Sequence, residues 1–236
     1  MLDFDPNYVF YPESDGKPMT EGDQQGNAIR LLMAGFRYLY ASEPNVHVSG
    51  DVMWYPVQGD PRISAAPDVM VIESCARDQN IGRYCAWEHG GQPPRFAIEV
   101  LSPSNRAAEM LDKLAFYDRH GVGEYVFIDP FHDQIRAWVR RGGTLISELV
   151  TGTWESPFTS VTFGYDDDGL HVFGPDGRRW LSPEAERAHA RAEIARVAGE
   201  AAQAKAEIAR VEREAAHAKA ENEALRAELA RLRGQG

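Results

Sequence analysis

Between residues 21 and 41 apolar side chains recur every three or four positions, at Ile29, Leu32, Met33, Phe36, Leu39 and Tyr40, which predicts an amphipathic helix. The period then changes. Residues 46–57 alternate apolar and polar well enough for one strand, and Gly59-Asp60-Pro61 breaks it. Pro67 opens a short apolar strand, Asp68-Val69-Met70-Val71-Ile72. After an irregular stretch, Phe96-Ala97-Ile98-Glu99-Val100-Leu101 is apolar on both faces, the pattern of a central strand. A second helix is predicted over 106–120, with Met110, Leu111, Leu114, Ala115 and Tyr117 turned inward and Gly121 ending it. Residues 125–129 form a further buried strand. From 134 to 173 the chain reads as short strands joined by Gly-rich turns such as Arg141-Gly142-Gly143. Helix, strands, helix, strands predicts an α/β (α+β) domain in which helices flank a mixed sheet.

The tail follows another rule. Ser182-Pro183-Glu184 has the capping residue, first-turn proline and early acid of a helix start. Apart from Gly199, no Gly or Pro then interrupts the chain until Gly234. The hexapeptide Ala-Glu-Ile-Ala-Arg-Val runs from Ala192 to Val197 and returns two heptads later, from Ala206 to Val211. With Ile194 at position a, the a series is Ile194, Ala201, Ile208, Ala215, Asn222 and Leu229. The d series is Val197, Ala204, Val211, Ala218, Leu225 and Leu232. An Asn at an a position pairs with its own copy and fixes register in a parallel dimer. The g and e positions would set Glu200 against Lys205, Glu214 against Lys219, Glu221 against Arg226 and Glu228 against Arg233; only Glu207 with Glu212 repels. A homodimer through a parallel coiled coil is expected, against the alternative of one solvated charged helix with an alanine-rich, weakly burying seam. The chain thus divides into an arm over 1–20, a domain over 21–181 and a coiled-coil helix over 182–236.

Charge changes the picture once it is divided. The net charge is −11. From Ser182 onward acidic and basic residues number ten each, so the whole excess lies before it, in 26 acidic against 15 basic residues. Such a domain attracts duplex phosphate poorly and must use a local cation or metal ions to meet nucleic acid. Arg30 and Arg37 on one helix face, and Arg136, Arg140 and Arg141 on one strand, are the evident basic patches, with solvated surface as their ordinary reading. The N-terminal residues lack the basic region and apolar run of a signal peptide, and no run of about 20 apolar residues exists to span a membrane. Cys75 and Cys85 fit buried thiols in a reducing compartment, so a cytoplasmic protein is expected.

Chemistry concentrates in two carboxylates placed where apolar strands want burial. Asp68 opens one strand, and Glu99 sits in the middle of another. A buried ionised carboxylate requires a cation, a Lys or Arg, or a raised pKa. Lys113 shares a helix face with Met110 and Tyr117 and leans toward the core. Two acids, a lysine and a hard divalent ion suffice to hydrolyse a phosphodiester; a structural ion pair is the competing reading. The seven histidines lack metal-binding spacing, and Asp166-Asp167-Asp168-Gly169 reads as a hairpin turn rather than a calcium loop. No P-loop or GxGxxG is present, and Ser102 and Ser104 have no His placed by motif.

Pro67-Asp68, Glu99 and a nearby lysine resemble the PD-(D/E)XK nuclease superfamily. More narrowly, Ala66-Pro67-Asp68-Val69-Met70-Val71, Glu99-Val100-Leu101-Ser102-Pro103-Ser104-Asn105, and Asp112-Lys113-Leu114-Ala115-Phe116-Tyr117 with Gly121-Val122-Gly123-Glu124-Tyr125 resemble the Uma-two family, a bacterial group of proposed restriction endonucleases. The arm Tyr11-Pro12-Glu13-Ser14-Asp15-Gly16-Lys17-Pro18-Met19 fits as well, and the resemblance spans roughly residues 8–173. It implies a restriction-endonuclease-like core and Mg²⁺- or Mn²⁺-dependent cleavage of nucleic acid, DNA above all. Asp68 and Glu99 become metal ligands, the Val100 carbonyl an added oxygen, and Glu21 a further acid on the first helix. The superfamily lysine stands two residues after the glutamate, where this chain has Leu101; Lys113 looks like its migrated replacement. Gln25 stands where close relatives often carry His. The rival function is an interaction module, a nuclease fold without turnover that scaffolds a partner through its coiled coil.

Overall fold

The computed structural model describes residues 9–13, 23–102 and 107–233. Glu21, Pro103, Ser104, Asn105 and most of the predicted arm lie outside the described residues. The chain divides into two compact units, Met1–Pro183 and Glu184–Gly236.

The first unit opens with helix α1, Asp23–Leu39. Strands β1 (His47–Ser49), β2 (Met53–Tyr55), β3 (Val69–Ile72), β4 (Arg83–Cys85) and β5 (Phe96–Val100) follow, with a short 3-10 turn over Ala86–His89. Helix α2, Ala107–Arg119, leads to β6 (Glu124–Asp129), β7 (Gln134–Arg141), β8 (Thr144–Glu148), β9 (Trp154–Glu155), β10 (Thr162–Asp166) and β11 (Gly169–Phe173). Six strands form a mixed sheet in the order β1-β3-β5-β6-β7-β8, in which β5 and β6 run parallel and their neighbours antiparallel. Strands β2 and β4 pair separately, as do β9, β10 and β11. The parallel pair is joined by α2, which crosses over to reach the second strand.

Side-chain alternation sorts the sheet into two faces. Val69 and Val71 of β3, Phe96, Ile98 and Val100 of β5, and Val126 and Ile128 of β6 meet Ala28, Leu32 and Phe36 of α1 in one core. Met70, Ile72, Ala97, Tyr125 and Phe127 point the other way, where Tyr117 of α2 packs with Trp54 and Tyr84. Each large side chain fully buried here contributes about 1.5–3 kcal/mol. Helix α1 fits close because Gly35 has no Cβ; one placed there would meet the Trp180 ring at 1.9 Å.

Three expectations are corrected. Residues 46–57 are two strands, since Asp51 adopts a positive φ of 55° and a Cβ on Gly50 would strike the Asp68 carbonyl at 2.5 Å. The chain turns there, sending β1 to β3 and β2 to β4. The stretch read as irregular contains β4. On α2, Leu111 and Ala115 are exposed, while Met110, Lys113, Leu114, Phe116 and Tyr117 are the described residues turned inward. The predicted turns are in place: Gly142 and Gly143 both take positive φ between β7 and β8, and Asp168 N–H donates to Asp166 Oδ1 (3.0 Å) between β10 and β11.

The second unit is the helix α3, which begins at Pro183 and runs to Arg233. Arg196 pairs with Glu193 and Glu200, and Arg210 with Glu207 and Glu214, one and the same motif repeated two heptads apart. Ile194, Val197, Ile208, Val211, Leu225 and Leu229 are half or more exposed along it. No helix among the described residues is long and apolar enough to cross a membrane.

Candidate active site

The alternation of β5 puts Glu99 on the α2 face, beneath a helix that returns two polar groups to it. Lys113 Nζ donates to Glu99 Oε2 at 2.7 Å, and the Tyr117 hydroxyl donates to Glu99 Oε1. Lys113 and Tyr117 are four residues apart and therefore stacked on one helical face. Glu99 is 2% exposed, and this double engagement is what a carboxylate there requires. Burial acts to lower the Lys113 ammonium, but Glu99 and, behind it, Asp68 outweigh burial and hold its pKa above the ordinary value. The Tyr117 hydroxyl is pushed well up by burial and then by Glu99, so it stays a donor.

Asp68 arrives from the neighbouring strand. Val69 pairs with Ile98, and one further step of that antiparallel register sets Asp68 opposite Glu99. Its Oδ2 accepts the Val100 N–H at 2.7 Å. On the other side of the same residue, Gln25 Nε2 of α1 donates to the Val100 carbonyl at 3.1 Å. The Val100 amide and carbonyl are thus held from two elements, at the end of the strand that carries Glu99.

Helix α2 is itself fixed from behind. Arg140 Nη2 donates to the terminal carbonyls of Tyr117 (3.2 Å) and Asp118 (2.7 Å), and its Nε to Val122 O (2.8 Å). The first two are carbonyls of the last helical turn, which also accept the Val122 and Gly121 amides, and a cation there is favoured by the helix dipole. Read from the sequence as solvated surface, Arg140 is a cap. Of its neighbours on β7, Arg141 pairs with Glu148 at 2.7 Å, while Arg136 is exposed and in no ion pair among the described residues.

The residues themselves show whether a hard cation suits the place. Asp68, Glu99 and the Val100 carbonyl offer oxygen only. Gln25 Oε1 is buried and has no hydrogen-bond partner among the described residues. A buried oxygen left so costs about 1–3 kcal/mol unless water or a cation meets it. This donor chemistry fits Mg²⁺, which needs only one or two carboxylates, and does not fit zinc, which takes His and Cys. Among the described residues no group of three or more His, Cys, Asp or Glu converges. Neither Tyr117 nor Gln25 was singled out by chemistry in the sequence. The signal for Tyr117 is its position on the Lys113 face; for Gln25 it is the resemblance, which marks a place where close relatives often carry His.

Curated proteins give no match. Among solved structures, the chain is similar to a protein from Anabaena variabilis ATCC 29413 described as a "putative nuclease belonging to DUF820". The two are 17% identical with a TM-score of 0.45, over 64% of this chain and 86% of that one. The family model Uma2, described as "Putative restriction endonuclease", matches residues 13–164, a span that includes Asp68, Glu99, Lys113 and Tyr117. The chain therefore belongs to the Uma2 family.

Proposed function

We propose that this chain is a Mg²⁺- or Mn²⁺-dependent endonuclease that hydrolyses phosphodiester bonds in DNA, with Asp68, Glu99 and Lys113 as its catalytic residues. The observation that carries the reading is the meeting of Lys113 with the buried Glu99 across 14 residues of chain, opposite Asp68 in the register of β3 and β5. Asp68 and Glu99 would hold the ion, with the Val100 carbonyl and Gln25 Oε1 as neutral oxygens beside them; the family resemblance names Glu21, outside the described residues, as a further acid. When bound, the ion lowers the pKa of its water and draws charge from the phosphoryl oxygens. Lys113 supplies an ammonium that orients the attacking water and opposes the charge that develops on the phosphate. Tyr117 keeps Glu99 in one rotamer while this happens. Arg140 holds α2, and so both side chains, in register with β5.

A structural ion pair alone would explain the Lys113–Glu99 contact but not the unmet oxygen of Gln25. Metal binding separates the two. An ion that binds only the folded protein raises its stability by mass action, by about 2.7 kcal/mol at a hundred times its Kd. Millimolar Mg²⁺ or Mn²⁺ should raise the melting temperature of the parent and leave Asp68→Asn unmoved. Identical melting of both proteins with and without metal would favour the interaction module, a fold used as a scaffold without turnover.

The second unit supports a homodimer. Ile194, Val197, Ile208, Val211, Leu225 and Leu229 occupy a and d positions and stand exposed along the helix. A parallel partner helix would bury them.

A further inference from the structure

We propose that the cavity beside α2 receives one unpaired nucleobase of the DNA strand held at Glu99. This rests on the phosphodiester reading of that site and names where the neighbouring nucleoside goes. The cavity measures about 340 Å³ and lies between the exposed edge of α2, at Leu111 and Leu114, and the sheet residues Tyr125, Phe127 and Trp138. Arg136 stands at it as well.

Its place in the sheet ties it to the site. Glu99 pairs with Phe127, and Phe127 with Arg136, so the three form one row on one face. Neighbouring strands are about 4.8 Å apart, which puts the Phe127 backbone about 5 Å from that of Glu99 and Arg136 about 10 Å away. A base attached next to a phosphate at Glu99 reaches that far. The walls suit it: three aromatic side chains on the sheet, with Leu101, Met110, Leu111 and Leu114 completing the apolar lining, and every base has a π face to lay against them.

One polar feature selects a nucleotide over an aliphatic side chain. The exposed Arg136 guanidinium would meet the phosphate that accompanies a base. Asp129, also at the cavity, has its carboxylate turned to the Phe131 and His132 amides and the His132 ring. An aliphatic side chain would leave the guanidinium unmatched. Charge supplies the need: a domain with 26 acidic and 15 basic residues before Ser182 cannot hold a strand by phosphate attraction alone. Stacking is indifferent to that excess.

The test uses the full-length protein with Ca²⁺ in place of Mg²⁺, so that binding is read without turnover. Short single-stranded DNA carrying one 2-aminopurine, moved along the strand, should be quenched at one position. An abasic site at that position should weaken binding about ten-fold, and so should Trp138→Ala. The two together should cost no more than either alone, since they remove the same contact. Leu111→Glu, at an exposed helix position, serves the same cycle if Trp138→Ala lowers the melting temperature. Strands bound in an Asp68-dependent manner, with no quenched position or with additive losses, would overturn the base pocket and leave the nuclease reading standing. Failure of any strand to bind would sink both. A change of oligomeric mass in Leu111→Glu, with strand binding intact, would assign the cavity to a second copy of the chain and so contradict the proposal.

Discussion

Glu99 is the residue on which the site turns, because a carboxylate 2% exposed must keep every donor it has. Tyr117 supplies one of the two donors without touching substrate, which makes it a positioning residue. Tyr117→Phe removes a hydroxyl and little volume, so its cost is that of leaving Glu99 Oε1 short of a partner. Unfolding free energy should fall by about 1–3 kcal/mol in denaturant titrations; no change would mean that Glu99 is satisfied otherwise. Glu124, on the opposite face of the sheet, poses the same problem without the same answer. Its carboxyl is fully buried, and neither oxygen closes a well-formed hydrogen bond among the described residues. Burial, only partly offset by Ser156, the Phe158 amide and Arg95, and reinforced by Glu148, pushes its pKa up to about 7. An acid whose folded pKa exceeds its unfolded value binds more protons when folded. Between the ordinary 4.5 and about 7, stability therefore falls as pH rises, and above that window the loss, about 3 kcal/mol, is complete. Melting temperature followed from pH 4.5 to 8 should show this decline in the parent and much less of it in Glu124→Gln. Equal slopes in both would place the pH dependence elsewhere.

Elements were legible in the sequence where one rule governed them. The run 96–101 was apolar throughout, and Glu99 stood out in it because burial left it needing a cation. Lys113 could be placed because Met110 and Tyr117 defined its face. The same helical period overreached at Leu111 and Ala115, since α2 buries a narrower stripe than its apolar content suggests. Strands β1 and β2 were read as one because alternation continues across Gly50-Asp51, although the chain turns there to keep clear of the Asp68 carbonyl. Arg140 resembled its neighbours on β7, and its role as the cap of α2 depends on a contact 22 residues away that no local pattern encodes. In α3 the heptad register could be counted directly. Glu200 and Glu214 are engaged by Arg196 and Arg210 of their own helix, so pairing across a dimer would compete with contacts already made. The apolar seam must then carry association. Ile208→Asp with Val211→Asp should convert a dimer to a monomer in sedimentation equilibrium; a parent that is already monomeric would remove the coiled coil from the account.

Taken whole, the molecule joins an acidic domain to an electrically neutral helix, an arrangement that favours neither duplex adhesion nor broad electrostatic steering. On the proposed reading, affinity for a strand would come from a metal ion at Asp68 and Glu99, from Arg136 and from stacking, all on the α2 face of one sheet. Dimerisation through α3 would present two such sites to one substrate and raise their effective concentration. Family membership and the Lys113–Glu99–Asp68 geometry point to the same chemistry, and one assay addresses it. Supercoiled plasmid is incubated with the full-length protein, with Mn²⁺ or Mg²⁺ and with chelator, beside Asp68→Ala and Lys113→Ala. Nicking that needs metal and disappears in both variants is the predicted result. Folded, dimeric parent protein that leaves the plasmid intact with either metal, or nicking that persists in Asp68→Ala, would contradict it.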